Sequence, residues 1–245
     1  MSILITGGSK GIGRGIAVHF ARPDNDVFIN YMHDKQAAIQ AAAAVEAKGA
    51  RAHLVQGDVG TASGIQTVLE AVASRVDQLD QLVHCAVRAV SQPVLEIPPE
   101  EFKRCVDLNG TALLSLVQAF RHLLVNGSTV FFMSSRGSKV AVPNYAAIGS
   151  PKALAESLVR YLAVELAPHG VRINTVSASA LLTDAFRVAV PNADERFAAS
   201  AAANPSGRNL TFDDVSKAVA FLASPEAEMI TGRELFLDGG LYAKA

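Results

Sequence analysis

The sequence predicts an α/β protein in which a parallel sheet is covered by helices on both faces. Segments typical of buried strands alternate with segments typical of helices along all 245 residues. This alternation favours parallel strands joined by right-handed crossovers. A glycine-rich turn directly follows the first strand, between Thr6 and Gly13. No linker, repeat or low-complexity tract interrupts the pattern, so we expect one domain over residues 1–245.

The predicted strands are short apolar segments bounded by glycine or polar residues. They lie at residues 3–6, 27–30, 52–55, 82–85, 130–133, 172–176 and 234–237. Helices are predicted at about 12–21, 35–48, 62–76, 99–124 and 212–222, and a further long helix begins at Tyr145. Residues 183–207 form a segment of small side chains between the last two strands.

Composition and charge exclude several classes of protein. Half of the residues are hydrophobic (50%), but no apolar run approaches the ~20 residues needed to span a bilayer. The net charge of −1 argues against a nucleic-acid partner. The two cysteines and six histidines lack metal-ligand spacing, so no metal site is expected. The first strand follows Met1 without room for a signal peptide, and we therefore expect a cytoplasmic protein.

The strand at 130–133 delivers Ser134 and Ser135 to its carboxyl end, where open α/β sheets place their ligands. Lys152 follows Tyr145 by seven residues. Seven residues are nearly two turns at ~3.6 residues per turn, so both side chains are expected on one helix face. A hydroxyl, a phenol and an ammonium then converge on one cleft, which indicates acid–base chemistry. The alternative is that Tyr145 and Lys152 only cap and solubilise a core helix.

The turn Thr6-Gly-Gly-Ser-Lys-Gly11-Ile-Gly13 is typical of a phosphate-binding turn. Glycines let the backbone approach a pyrophosphate, which lies at the positive end of the following helix. The alternative is a tight turn without a ligand. The residues predicted to hold the cofactor here are Gly7, Ser9, Lys10, Gly11, Ile12 and Gly13.

The end of the second strand bears on the choice of cofactor. A carboxylate there would bind a ribose 2′-hydroxyl and repel a 2′-phosphate, but none occurs before Asp34. Lys10 offers a positive charge, unless it is simply a solvated lysine. The sequence therefore favours NADPH over NADH. Asp58, after the third strand, either contacts an adenine amino group or is a simple turn residue.

These elements together resemble the short-chain dehydrogenase/reductase family over essentially the whole chain. The resemblance implies a Rossmann fold with a doubly wound sheet of seven parallel strands, a nicotinamide cofactor, and a homodimer or homotetramer. It also implies catalytic roles for Asn109 and Ser135 and cofactor-binding roles for Asp58, Val59 and Thr183. The matching pieces are Thr6-Gly-x3-Gly-Ile-Gly13, Asp58-Val59, Asn109, Ser135, Lys152, Arg172-Ile-Asn-Thr-Val-Ser177, Thr183 and Asp238-Gly-Gly240.

Three departures from the family pattern are informative. His84-Cys-Ala-Val87 stands where the family has Asn-Asn-Ala-Gly, and Ala178-Ser179 stands where it has Pro-Gly. The usual catalytic spacing is Tyr-x3-Lys, but the residue four before Lys152 is Ile148 and the tyrosine is Tyr145. A Tyr-x6-Lys spacing resembles enoyl-acyl-carrier-protein reductases. The residues that look closest to those of the type III enzymes are Ser134-Ser-Arg-Gly-Ser138, Asn144-Tyr145, Arg160-Tyr-Leu-Ala-Val-Glu-Leu166, Met229-Ile230 and Gly232.

The shifted tyrosine has a chemical reason. Reduction of a ketone develops charge on the oxygen bonded to the carbon that is reduced. Reduction of a 2-enoyl thioester develops it on the thioester oxygen, several bonds away, and stabilisation must follow that charge. A phenol one helical turn upstream is displaced by ~5 Å. The sequence thus predicts an NADPH-dependent enoyl-thioester reductase acting on an acyl carrier protein or CoA thioester.

The predicted roles follow from this reaction. Tyr145 hydrogen-bonds the developing enolate, and Lys152 holds the cofactor ribose and favours a polarised phenol. Ser135 orients the substrate or satisfies backbone groups, and Asn109 anchors a water or its own helix. Two alternatives stay open: a 3-ketoacyl reductase, in which the Tyr145 loop swings to the usual place, and a non-catalytic dinucleotide-binding scaffold.

Overall fold

The computed structural model describes residues 1–243 and contains a seven-stranded parallel sheet. The strands have the order β3-β2-β1-β4-β5-β6-β7, so the predicted doubly wound parallel sheet is confirmed. The strand order reverses between β1 and β4, and this switch point opens a crevice at the carboxyl ends of the strands. The strands are β1 (Ser2–Thr6), β2 (Asp26–Tyr31), β3 (Arg51–Gln56), β4 (Gln81–His84), β5 (Thr129–Ser135), β6 (Arg172–Ala178) and β7 (Glu234–Leu237).

Helices cover both faces of this sheet, and each face has its own apolar core. β1 and β4 are buried along their whole length because helices cover both sides, which fits their apolar centres at residues 3–5 and 82–83. The helices are α1 (Gly11–Phe20), α2 (Lys35–Glu46), α3 (Ala62–Ala73), α4 (Pro99–Val106), α5 (Ala112–Phe120), α6 (Ala146–Leu166), α7 (Asp184–Ala189), α8 (Ala193–Ala203) and α9 (Phe212–Ala223).

Two helical regions differ from the sequence prediction. The helix expected at 99–124 is interrupted by a π-helical segment at Asp107–Thr111, between α4 and α5. The small-residue segment forms the two short helices α7 and α8. Within residues 1–243 no helix has the length and apolar character that a membrane crossing requires.

Candidate active site

A cavity of about 530 Å³ lies at the carboxyl ends of β1, β4, β5 and β6. The glycine turn, the end of β5, the first turns of α6 and residues of α7 line it. The predicted residues that line it are Gly7, Ser9, Lys10, Gly11, Ile12, Gly13, Ser135, Tyr145, Lys152 and Thr183. The chain order therefore brings the predicted phosphate turn and the predicted acid–base residues to one cavity.

The glycine turn is built for a close approach of backbone to ligand. Gly7 has φ 63°, and a Cβ there would lie 2.9 Å from the Cα and N atoms of Ala86. A Cβ on Gly13 would lie 2.4 Å from the carbonyl oxygen of Gly7. Lys10, the N-cap residue of α1, makes no side-chain cap hydrogen bond. The first N–H groups of α1 are left for a ligand, so the turn fits a pyrophosphate.

Lys10 is not the free cation that the sequence suggested. Its Nζ lies 2.7 Å from Asp34 Oδ2 and 3.2 Å from Asp184 Oδ2. The hydrogen bond to Asp34, followed by that to Asp184, raises the pKa of Lys10. Lys10 lowers the pKa of Asp34 in turn. A cofactor phosphate at Lys10 would therefore compete with these two carboxylates.

The remaining predicted cofactor residues fall into two groups. Thr183 lines the cavity, and its Oγ1 caps α7 by accepting from the Phe186 N–H at 3.0 Å. Asp58 and Val59 lie outside the residues that line this cavity. Asp58 Oδ1 accepts from the Gly60 N–H at 2.9 Å, as a turn aspartate does, and Val59 is buried in the core. Their contact with a cofactor stays a prediction.

Tyr145 is the N-cap residue of α6, with φ −110° and ψ 4°, rather than its first residue as the sequence suggested. Its phenol oxygen lies 3.2 Å from Ser135 Oγ. Burial raises the pKa of Tyr145, and the hydrogen bond to Ser135 only partly offsets this. The phenol is therefore neutral at pH 7 and can donate a hydrogen bond to an acceptor in the cavity.

Lys152 projects into the same cavity from the second turn of α6. Its Nζ donates to the carbonyl oxygen of Met133 at 2.6 Å and lies 5.6 Å from the centre of the Phe132 ring. Burial lowers the pKa of Lys152 to about 8, although the charge of Glu156 acts in the opposite direction. Lys152 is thus a buried cation with one backbone acceptor on β5.

Asn109 does not line the cavity but supports the helix that carries Tyr145 and Lys152. Pro151 lies inside α6 and has no N–H to donate to the carbonyl four residues earlier, that of Ala147. Asn109 Nδ2 donates to this oxygen at 3.2 Å. The same amide group exchanges hydrogen bonds of 2.8 and 3.0 Å with the backbone of Arg88. Asn109 therefore joins the loop after β4 to α6 and acts as a positioning residue.

The unusual His84 is accommodated by a buried hydrogen-bond chain. His84 Nε2 must donate to the Leu108 carbonyl at 3.1 Å, so Nδ1 accepts from Thr6 Oγ1 at 2.8 Å. Thr6 Oγ1 in turn accepts from the N–H groups of Cys85 and Ala86, both at 3.2 Å. Burial lowers the pKa of His84 to about 4, so the imidazole is neutral. This chain joins β1, β4 and the π-helical segment beside the cavity.

Several cavity residues were not singled out from the sequence as site residues. Met133, Ile148 and Leu181 contribute apolar side chains to the cavity wall, and Phe186 and Val188 on α7 also line it. Ala178 and Ser179, noted as a departure from the family pattern, also line the cavity. The α7 residues could not be found from periodicity because a helix of six residues is too short to show it.

Comparisons with known proteins find similar reductases. A family model described as enoyl-(acyl carrier protein) reductase matches residues 7–242. The 1-cyclohexenylcarbonyl-CoA reductase of Streptomyces collinus is 34% identical over 240 residues, covering 97% of this chain and 85% of that protein. The solved structure of the angucycline C-6 ketoreductase LanV with bound NADP has a TM-score of 0.89 and 26% identity, and the match covers 99% of this chain and 95% of that one.

A short-chain dehydrogenase from Burkholderia cenocepacia J2315 in complex with NADP is also similar, with a TM-score of 0.89 and 28% identity. That match covers 98% of this chain and 97% of the other. The fold and the cavity define a nucleotide-binding protein of the Rossmann type. The chain belongs to the short-chain dehydrogenase/reductase family and is an oxidoreductase of that family.

Proposed function

We propose that the protein is an NADPH-dependent reductase of the 2,3 double bond of enoyl thioesters. The position of Tyr145 carries this proposal. Its phenol reaches the cavity from the N-cap of α6, 3.2 Å from Ser135 Oγ. The position used by tyrosine in ketone reductases of the family holds Ile148, which is buried and lines the same cavity. Among the described lining residues, Tyr145 is the one phenol.

The cofactor part of the proposal rests on the glycine turn, since a backbone without side chains at Gly7 and Gly13 admits a pyrophosphate. Lys10 would supply a cation for a 2′-phosphate by exchanging its contacts with Asp34 and Asp184 for the phosphate. Two similar solved structures have NADP bound, which supports NADPH over NADH. When bound, NADPH supplies the hydride that is added to C3 of the acyl group.

Tyr145 stabilises the charge that develops on the substrate. A 2-enoyl thioester accumulates negative charge on its carbonyl oxygen as C3 is reduced, and a neutral phenol can donate a hydrogen bond to that oxygen. Burial keeps the proton on Tyr145 because it raises the pKa of the phenol. Ser135 Oγ orients the phenol through the 3.2 Å contact. The Lys152 ammonium is available for the ribose hydroxyls of the cofactor.

The substrate carrier is an acyl carrier protein or CoA. The name 1-cyclohexenylcarbonyl-CoA denotes a 2-enoyl thioester of CoA, and the similarity to the reductase of that compound supports the substrate class. Acyl-carrier-protein thioesters have the same reacting atoms. Both carriers therefore fit the proposed role of Tyr145.

The protein is further proposed to form a homodimer or homotetramer. Leu154, Tyr161 and Val164 share the outer face of α6 and are exposed, Tyr161 to 69% and Val164 to 75%. An apolar face of this kind on a soluble enzyme fits contact with a second copy through a two-fold interface.

Carbonyl reduction is the second candidate. The hydroxyl of Ser135 and the phenol of Tyr145 converge within 3.2 Å, and two such donors can polarise one ketone oxygen. The similarity to the ketoreductase LanV also supports carbonyl reduction.

The test compares NADPH oxidation with crotonyl and acetoacetyl thioesters, in wild type and in Tyr145→Phe. We expect the wild type to prefer the enoyl substrate. Tyr145→Phe keeps the ring but removes one transition-state donor, which costs ~10²–10³ in kcat, with little change in KM. Unchanged enoyl reduction in Tyr145→Phe would remove the proposed role of the phenol. Wild-type activity confined to the acetoacetyl thioester would establish the second candidate.

A further inference from the structure

The turn after the catalytic strand packs unusually closely on α6. Arg136–Ser138 forms one turn of 3₁₀-helix directly after Ser135. A Cβ on Gly149, in the first turn of α6, would lie 2.2 Å from the carbonyl oxygen of Gly137. No side-chain carbon fits at that distance, so the backbone of this turn lies directly against the helix.

The ring of Tyr145 occupies the space that a side chain at position 137 would need. A Cβ built on Gly137 would lie 2.3 Å from Cδ1 and 2.5 Å from Cε1 of Tyr145. Gly137 is not among the residues with positive φ, so its backbone conformation is open to any residue. Glycine is therefore required at position 137 because of the tyrosine ring and not because of the backbone conformation.

We propose that Gly137 is a positioning residue that holds the Tyr145 ring in its reactive place. The proposal rests on the proposed function, in which the Tyr145 phenol contacts the substrate. Gly137 fixes the ring near its attachment, and Ser135 fixes the phenol oxygen at 3.2 Å. A side chain at position 137 displaces the ring and breaks the contact with Ser135. Lys152 is unaffected, because its acceptor is the Met133 carbonyl on β5.

The first experiment measures Gly137→Ala with a crotonyl thioester and NADPH. We expect kcat to fall ~10²–10³-fold, as for loss of the phenol donor itself, while the NADPH dissociation constant stays within about twofold. In a Tyr145→Phe background the same substitution should cost little more, because residues that act through one group are not additive. Gly15→Ala is the matched control, since its Cβ would have a milder nearest contact, 3.1 Å to Phe212 on α9, and it should keep wild-type kcat.

A stability cycle tests the packing independently of the reaction. Gly137→Ala should lower the melting temperature of wild type but not that of Tyr145→Ala, in which the ring is absent. If Gly137→Ala alone does not fold, a folded Gly137→Ala/Tyr145→Ala protein that binds NADPH still supports the proposal. Equal destabilisation in both backgrounds would overturn it, and so would wild-type kcat in Gly137→Ala alongside an impaired Tyr145→Phe. If Tyr145→Phe keeps its activity while the stability cycle gives the expected result, the catalytic role of Tyr145 is refuted. The claim that Gly137 positions the Tyr145 ring would then still hold.

Discussion

Replacement of Lys139 by methionine should destabilise the protein by about 3 kcal/mol. Lys139 lies in the loop between Ser135 and Tyr145 and bridges two carboxylates, Glu156 on α6 and Glu234 on β7, the latter at 2.7 Å. Burial acts to lower the pKa of Lys139, but the hydrogen bonds to Glu156 and Glu234 outweigh it, so the pKa is raised. The ammonium is therefore charged throughout the neutral range.

The expected magnitude follows from burial of the partners. Glu156 is only 5% exposed and also accepts from Ser134 Oγ at 2.5 Å. Removing one partner of a buried pair costs about 3–5 kcal/mol, because the remaining charge is uncompensated. The Lys139 side chain is 40% exposed, and water can partly replace it, which places the cost at the lower end. For a domain of this size ~3 kcal/mol corresponds to a fall in Tm of about 6–12 °C.

The assay is thermal and urea unfolding of Lys139→Met beside a matched control. Lys217 on α9 lies 2.6 Å from Asp213, but these side chains are 68% and 61% exposed. Lys217→Met should therefore have little effect on stability, because an exposed ion pair is screened by water. Glu156→Gln added to Lys139→Met should recover part of the lost stability, because a neutral amide removes the uncompensated charge at position 156, while that of Glu234 remains. A loss in Lys139→Met no larger than in Lys217→Met would refute the reasoning.

Three further predictions concern the cofactor and assembly. Lys10→Ala should weaken NADPH much more than NADH, and Asp34→Asn should strengthen NADPH by removing a competitor for Lys10; titration with both cofactors checks this, and equal effects would contradict it. Lys152 has a pKa near 8 against 10.5 ordinarily, so its ammonium is lost as pH rises through 8. NADPH affinity should then fall in wild type but not in Lys152→Met. Between pH 8 and 10.5 Lys152 is protonated in the unfolded state and neutral in the folded state, so its contribution to the stability of the folded state rises with pH. Light scattering should give a dimer or tetramer that Tyr161→Asp/Val164→Asp weakens, and a monomeric wild type would contradict this.

The fold could be predicted from the hydrophobic pattern of the sequence, because parallel strands that are buried on both faces are rich in consecutive apolar residues. The predicted strand at 130–133, for example, is the centre of β5 (Thr129–Ser135). The π-helical segment at Asp107–Thr111 could not be predicted, since it depends on packing between helices distant in sequence. A Cβ on Gly110 would lie 3.0 Å from the Pro151 carbonyl. The role of Asn109 depends on this packing of the π-helical segment against α6. Pro151 leaves the Ala147 carbonyl without a helical N–H donor, and Asn109 lies close enough to replace it.

The site residues could be predicted where their spacing in the sequence is enough to place them together. Tyr145 and Lys152 reach one cavity as the seven-residue spacing suggested. The pairing of Lys10 with Asp184 was not predictable, because Asp184 lies 174 positions further along the chain, at the start of α7.

The position of the phenol depends on residues that carry no chemistry of their own. Asn144 has φ 60°, a left-handed conformation that asparagine tolerates better than most residues. It turns the chain so that Tyr145 caps α6 instead of lying within it. Gly137 then leaves room for the ring. A tyrosine at position 148 would be attached about one turn further along α6, ~5 Å away. Its position would depend on neither Asn144 nor Gly137. Under the proposed function, one sheet and one lysine can therefore serve two acceptor oxygens, and the loop before α6 selects the oxygen that the phenol reaches.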